Sequence, residues 1–322
     1  MHQITGKTLL GLLLALTTAI LWGILPIALK ILLEVFTANT ITAIRFLVAA
    51  ILVGVWLGLR GKLPRLALLK QLKISWLMAV AVIGLLLNYI FYLSSLNLLT
   101  AETAQTLIQL APFLMMLGGI IIFKERLLFL QQVGAVLLVT GLLLFFNERL
   151  LTLVLQASSE TWGVLMMIVA AITWAAYALA QKQLLMHYSS KQIMYLIYIA
   201  GTIAFIPVSD FQPVVSLTVL QWSLLLFCCL NTVIAYGAFA EALHHWEASK
   251  VSAVLAITPL ITIISANIVA WIWPQFVPQQ LNLWSWFGAL LVVAGSALTA
   301  LAPQFVEYRA ARKVRKLQRD VL

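Results

Sequence analysis

The sequence predicts an all-α integral membrane protein: ten transmembrane helices in two inverted repeats of five. Three observations carry that prediction. The composition is apolar, the basic residues sort to alternate loops, and the two halves share a register. Of 322 residues, 63% are hydrophobic and 9% charged, with a mean hydropathy of +1.06. A soluble domain is about a quarter charged, so too few charges exist here to cover a water-soluble surface. Intrinsic disorder needs low hydrophobicity and is excluded as well.

A helical span takes about 20 apolar residues, so ten spans use about 200 and leave roughly 11 for each loop or tail. Apolar runs and their breaks place the spans near 8–28, 40–59, 74–94, 103–123, 128–147, 162–182, 191–208, 219–240, 250–272 and 283–302. The first run follows Lys7 and resembles a signal peptide, but its apolar stretch is too long and no small-residue cleavage site follows. Lys124, Glu125 and Arg126 are all that separate the fourth run from the fifth, which predicts a tight turn. Cys228 and Cys229 are adjacent in an apolar run, where two small packing residues are expected and no disulfide between them.

With ten spans, 17 of the 20 Lys and Arg residues fall on one side of the membrane. Only Lys30 and Arg149 fall on the other, and Arg45 lies within a span. Loops rich in Lys and Arg stay in the cytoplasm, so both termini are expected there. The net charge of +10 is thereby a topology signal rather than a nucleic-acid footprint. The basic tail after Pro303 is placed to meet anionic lipid headgroups. Trp271, Trp273, Trp284 and Trp286 bracket the outer loop 274–282 and read as interfacial anchors.

Trp22 and Lys30 recur as Trp174 and Lys182 at an offset of 152. Tyr89 and Pro112 recur as Tyr236 and Pro259 at 147, and Gly134 and Gly141 as Gly288 and Gly295 at 154. The expected division is a first repeat over 1–150, a second over 160–302 and a basic tail over 303–322. Five spans is an odd number, so the second repeat enters the membrane upside down. Inverted repeats are a recurrent transporter architecture, because exchanging their conformations opens a site to alternate sides.

Polar residues within spans avoid hydrocarbon and face a cavity or a partner helix. Glu102, Gln105, Gln109 and Pro112 follow steps of three, four and three, which puts them on one helical face. Their repeat equivalents are Ser249, Ser252, Ala256 and Pro259. Each proline frees the carbonyl four residues earlier, at Ile108 and Leu255, for a polar ligand or a packing kink. Pro26, Asn88, Tyr92, Asn231 and Tyr236 are further candidates for the pathway. On the sixth span Trp174, Tyr177 and Gln181 share a face. Trp22 and Trp174 lie too deep for an interfacial belt and serve either as core packing or as walls of a site.

Arg45 has two readings: it snorkels or pairs with Glu34 or Glu102, or it anchors an anionic substrate group. Glu102 is the best single carboxylate for proton coupling. Glu241, His244, His245 and Glu247 cluster at the inner end of the eighth span. A solvated interface, proton handling, or the acid/base cluster of a membrane-embedded enzyme are the alternatives there. Adjacent histidines point about 100° apart on a helix, which disfavours a metal chelate. No catalytic motif and no cofactor-binding glycine loop occurs.

Ala19-Ile20-Leu21-Trp22-Gly23 through Pro26 to Lys30, then Ile44-Arg45-Phe46, resembles the opening of an EamA-type repeat. Leu110-Ala111-Pro112, Phe123-Lys124-Glu125-Arg126, Gly134 and Gly141 continue the resemblance, and Trp174, Lys182, Ile257-Thr258-Pro259, Gly288 and Gly295 repeat it. The resemblance, over about 8–302, is to the drug/metabolite transporter superfamily. It implies transport, often efflux, of amino acids, other small metabolites or toxic compounds across a plasma membrane. It also implies a central cavity walled by the first four helices of each repeat. Ile197 stands where Arg45 would recur, and Trp273-Pro274-Gln275 where Lys-Glu-Arg would, so the halves are not equivalent gates.

Overall fold

The computed structural model describes residues 7–124, 128–149, 153, 155–246 and 248–320. Among them the first repeat holds α1 (Thr8–Leu32), α2 (Ala38–Leu59), α3 (Leu72–Leu98), α4 (Ala101–Leu107), α5 (Leu110–Phe123) and α6 (Phe129–Phe145). The second holds α7 (Ser159–Leu184), α8 (Ser190–Phe205), α9 (Val219–His245), α10 (Ala248–Leu255), α11 (Thr258–Ile272) and α12 (Leu283–Asp320). Among the described residues nine helical stretches are long and apolar enough to cross a membrane, with α4–α5 and α10–α11 each counted as one. The tenth span is the shorter apolar helix α6. Ile51, Val55, Ile83, Ile121, Val136, Ile203 and Ile268 are exposed on the outside of the bundle, as lipid-facing helices require.

Helix starts follow side-chain caps. Thr37, Thr100, Ser158, Ser189 and Thr218 each accept a hydrogen bond from the backbone N–H three residues on. Thr37 and Ser189 are 152 residues apart, so the duplication extends to the capping chemistry.

The inversion is visible in how equivalent helices pack. Helix α6 lies antiparallel to its own equivalent α12: Gly134 meets Gly295, and Gly141 meets Gly288. A Cβ on Gly134 would stand 2.7 Å from the Gly295 carbonyl oxygen, so these backbones touch without side chains between them. At the end of this seam Asn147 and Asn282 exchange amide hydrogen bonds of 3.2 and 3.0 Å. Likewise α2 runs antiparallel to α8, with Gly54 against Tyr195 and Gly201 against Phe46, and Phe46 and its equivalent Tyr198 meet as tilted rings at 5.5 Å.

The other pairings occur in duplicate. Helix α3 packs on α7, and α1 on α9. Asn88 Nδ2 donates to the Ala170 carbonyl at 2.9 Å; at the equivalent place Thr18 Oγ1 reaches the Ala235 carbonyl at 3.4 Å. Gly84 abuts the Thr173 carbonyl, and its equivalent Asn231 donates to the Leu21 carbonyl at 2.7 Å. Gly163 packs on Leu99 as Gly11 packs on Trp246. Equivalent positions thus make equivalent contacts whatever residue occupies them, which is the signature of a pseudo-two-fold axis.

Two local readings are corrected. The fourth and ninth spans are not continuous, because each breaks three residues before its proline, at 108–109 and 256–257. The Ile108 carbonyl, expected to be free, accepts from Ala111 N at 2.9 Å, a tightened turn that absorbs the missing proline donor. Lys124 ends α5 with φ 54°, and the turn residues Glu125 and Arg126 lie outside the described residues. Beyond the last apolar span, which ends at Ala302, α12 continues to Asp320. That stretch is rich in Arg, Lys, Gln and Ala, whose helix propensity favours continuation.

Candidate substrate pathway between the two repeats

The two broken spans meet at their breaks. Gln109, in the first break, donates from Nε2 to the carbonyl of Ala256, in the second, at 2.9 Å. Gln109 and Ala256 are repeat equivalents, 147 apart. A carbonyl released by the break in one repeat is therefore bound by the other repeat's side chain. Tyr89 and Tyr236, also equivalents, lie side by side. With Phe46 and Tyr198 this makes three pairs of equivalent residues in contact across the interface of the repeats.

Arg45 enters this interface from α2 and is 3% exposed, so it does not snorkel. Its Nε donates to Thr232 Oγ1 on α9 at 3.0 Å, and its guanidinium carbon lies 4.9 Å from the centre of the Tyr89 ring. Tyr198 donates to the Thr232 carbonyl at 3.2 Å, and Phe46 packs on Tyr89 at 4.6 Å. Trp22 adds an edge contact to Tyr236 at 5.3 Å and a tilted one to Phe239 at 5.7 Å. The Tyr89 ring thus covers the cation, and further rings pack around Tyr89 and Tyr236. Pairing of Arg45 with Glu34 or Glu102 is not found: Glu34 is exposed at the end of α1, and Glu102 is engaged elsewhere.

Glu102 lies 1% exposed at the first turn of α4. Its Oε1 accepts from Gln279 N at 3.1 Å, while its Oε2 has no hydrogen-bond partner among the described residues. Gln279 Oε1 in turn accepts from Thr100 Oγ1 at 2.7 Å and from Thr103 Oγ1 at 2.5 Å. The α11–α12 loop is thereby latched over the start of α4. Lys30 closes the same end, donating to the Leu96, Asn97 and Leu99 carbonyls at 2.8, 3.1 and 2.8 Å. A lysine on the last carbonyls of α3 satisfies groups that the helix end leaves open.

The remaining candidates divide. Gln105 is buried and accepts from the Tyr92 hydroxyl at 3.1 Å. Trp174 and Tyr177 form an edge pair at 6.3 Å, with the Tyr177 hydroxyl 3.2 Å from Met194 Sδ, and Gln181 reaches Ser190 at 3.4 Å. The amides of Asn88 and Asn231 are spent on tying helices together, although Asn231 Oδ1 remains buried and unpaired. Pro26 and Pro259 are buried, but Pro112 and Ser252 are exposed. The expected single face therefore holds from Glu102 to Gln109 and fails at Pro112, because the break resets the 100° phase on which it depended. Glu241 pairs with His245 at 3.2 Å and is itself half exposed. No group of three metal-ligating side chains occurs among the described residues. Glu247 and the side chains of His244 and Ser249 lie outside the description.

Sequence reasoning missed Thr232, Tyr198, Tyr89 and Gln279 as site residues. Repeat equivalence was the usable signal for Tyr89 and Tyr198, since residues on a two-fold axis meet their own equivalents. No signal marks Gln279, a loop residue brought to Glu102 by the fold.

The model of the EamA-like transporter family matches residues 9–147 and again 161–301. The chain is 41% identical over 293 residues to the uncharacterized inner membrane transporter YhbE of Escherichia coli strain K12, covering 91% of each chain. It is 41% identical over 304 residues to an uncharacterized transporter of Haemophilus influenzae, covering 94% of this chain and 98% of the relative. A protein of known crystal structure, 20% identical, superposes with a TM-score of 0.61 over 94% of this chain and 99% of its own, a likeness of fold. The embedded-enzyme reading falls with this kinship, which is to transporters. Matched twice, once by each five-span repeat, the chain belongs to the EamA-like transporter family.

Proposed function

We propose that this protein is a secondary carrier of the inner membrane that moves a small organic metabolite outward by alternating access. Amino acids, amines and related compounds are the size of solute such a repeat interface accommodates. The observation that carries the reading is the self-contact of the two repeats at Gln109–Ala256 and Tyr89–Tyr236. Rocking one repeat against the other about that line opens the path to each side in turn. Gln105 is buried, whereas its equivalent Ser252 is exposed, which fits a state sealed at the Glu102 end. The 17-to-2 charge split supports cytoplasmic termini, with the last helix running beside anionic headgroups. Exchange in proteoliposomes tests the reading: some small organic solute must counterflow against its labelled form, and a protein that exchanges none is not a carrier.

Coupling is assigned to Glu102, the buried carboxylate with a vacant oxygen. Glu102→Gln keeps an oxygen to accept from Gln279 N but cannot release a proton. Counterflow is expected to persist in this variant, while uptake driven by a pH gradient loses its dependence on the gradient. Gradient-driven uptake by Glu102→Gln equal to that of the wild type removes the assignment.

A further inference from the structure

Resting on the carrier reading, we infer that Arg45 is the anchor for the carboxylate of a transported organic acid whose remaining body is apolar or aromatic. The position is inside the membrane. Arg45 is the eighth residue of α2, about 10 Å along a helix that rises 1.5 Å per residue, and it is buried on all sides. An arginine so placed needs a counter-charge, because an unpaired cation in a low-dielectric interior is costly.

Among the described residues no carboxylate pairs with it. The groups that bear electrostatically on Arg45 are Tyr89, Tyr236, Cys228 and Cys229, phenols and thiols rather than carboxylates. Its one hydrogen bond is made by Nε, and among the described residues the two terminal nitrogens have no partner. Those two nitrogens form a pair of parallel donors, the arrangement that holds a carboxylate bidentately. Thr232 and Tyr89 fix the guanidinium from its other edge and its face, so the donors are aimed before a ligand arrives.

The surroundings define the rest of the ligand. Trp22 and Tyr236, both only partly buried, offer rings to an apolar or flat body, while Phe46 and Tyr198 pack against each other behind them. Ile197 occupies the position equivalent to Arg45 in the second repeat, so there is one cation and room for one negative charge. An ammonium group finds no carboxylate here and is repelled by Arg45. Amines, and zwitterions whose ammonium must be desolvated, are therefore disfavoured against a simple acid.

Three solutes with one phenyl body separate the charge classes: phenylacetate, phenethylamine and phenylalanine. With the wild-type full chain, thermal shift in detergent and counterflow in proteoliposomes are measured for each. Phenylacetate is expected to raise the melting temperature and to exchange, and the amine to do neither. Arg45→Lys keeps the charge but loses the planar fork, and is expected to weaken phenylacetate binding about tenfold to a hundredfold, the worth of a charge-assisted hydrogen bond. Exchange of phenethylamine or phenylalanine at or above the rate of phenylacetate overturns the assignment and leaves the carrier reading standing. Silence of all three also overturns it, and the carrier reading falls with it only when a wider panel of neutral, cationic and anionic metabolites is silent as well. Selectivity among the three is read on the unaltered protein, so it does not depend on any variant folding.

Discussion

Arg45→Met is expected to cut exchange at subsaturating solute about tenfold to a hundredfold without lowering the melting temperature of the protein. The two halves of this result have different causes. Exchange falls because the methionine offers no donor to the solute, a loss of about tenfold to a hundredfold in affinity for a charge-assisted pair. Stability holds because nothing is left orphaned. Thr232 Oγ1, which accepts from Arg45, also donates to the Cys228 carbonyl at 2.8 Å and keeps that bond. Tyr89 loses the cation on its face but keeps Phe46 at 4.6 Å and Tyr236 beside it. Replacing buried ionic groups by apolar side chains of similar volume is often neutral or stabilising by about 1–4 kcal/mol. A residue there for packing gives the reverse pattern: a melting temperature lowered by several degrees, with exchange retained in the fraction that folds. Differential scanning fluorimetry beside counterflow distinguishes the two.

Gly295→Leu is expected to have the largest effect on stability. Its Cβ would stand 2.5 Å from the Gly134 carbonyl oxygen and 2.6 Å from Leu138 N. Both are backbone atoms, so no rotamer change relieves the clash, and α6 must move away from α12. Overpacking of this kind costs about 1–3 kcal/mol, and a seam that depends on backbone contact lies at the upper end. Gly58 is the control. It sits in α2 with nothing within 4 Å of its Cβ position. There an alanine removes the flexibility of glycine and is expected to gain about 0.5 kcal/mol. Thermal unfolding of both variants in the same detergent checks the pair. Equal melting temperatures would mean that α6 and α12 do not pack through their glycines.

The features legible in the sequence were those set by solvent and by duplication. Lipid demands long apolar helices, so the edges of α2 and α8 and the start of α12 were readable to within a few residues. Duplication marked Gly134, Gly141, Gly288 and Gly295 as equivalent positions, and the structure pairs them crosswise, Gly134 with Gly295 and Gly141 with Gly288. What composition and periodicity could not carry was tertiary. The polar face of the fourth span was projected as one helix, but Pro112 tightens the turn before it, and the phase is lost between Gln109 and Pro112. The depth of Arg45 left snorkelling, a carboxylate pair and a substrate anchor all open; its burial depends on α9 packing beside it, a contact with sequence separation of 187. Gln279 was invisible because its role depends on where a loop lands, not on any pattern within it.

Alternating access itself is tested most directly by labelling two equivalent positions from solution. In a background with Cys228 and Cys229 replaced by alanine, single cysteines at Gln105 and at Ser252 are reacted with a membrane-impermeant maleimide, with and without a saturating transported solute. The present structure has Gln105 buried and Ser252 exposed. The account predicts that solute shifts the two rates in opposite directions, one position closing as its equivalent opens. Rates that rise or fall together, or that ignore a solute the protein exchanges, would contradict it.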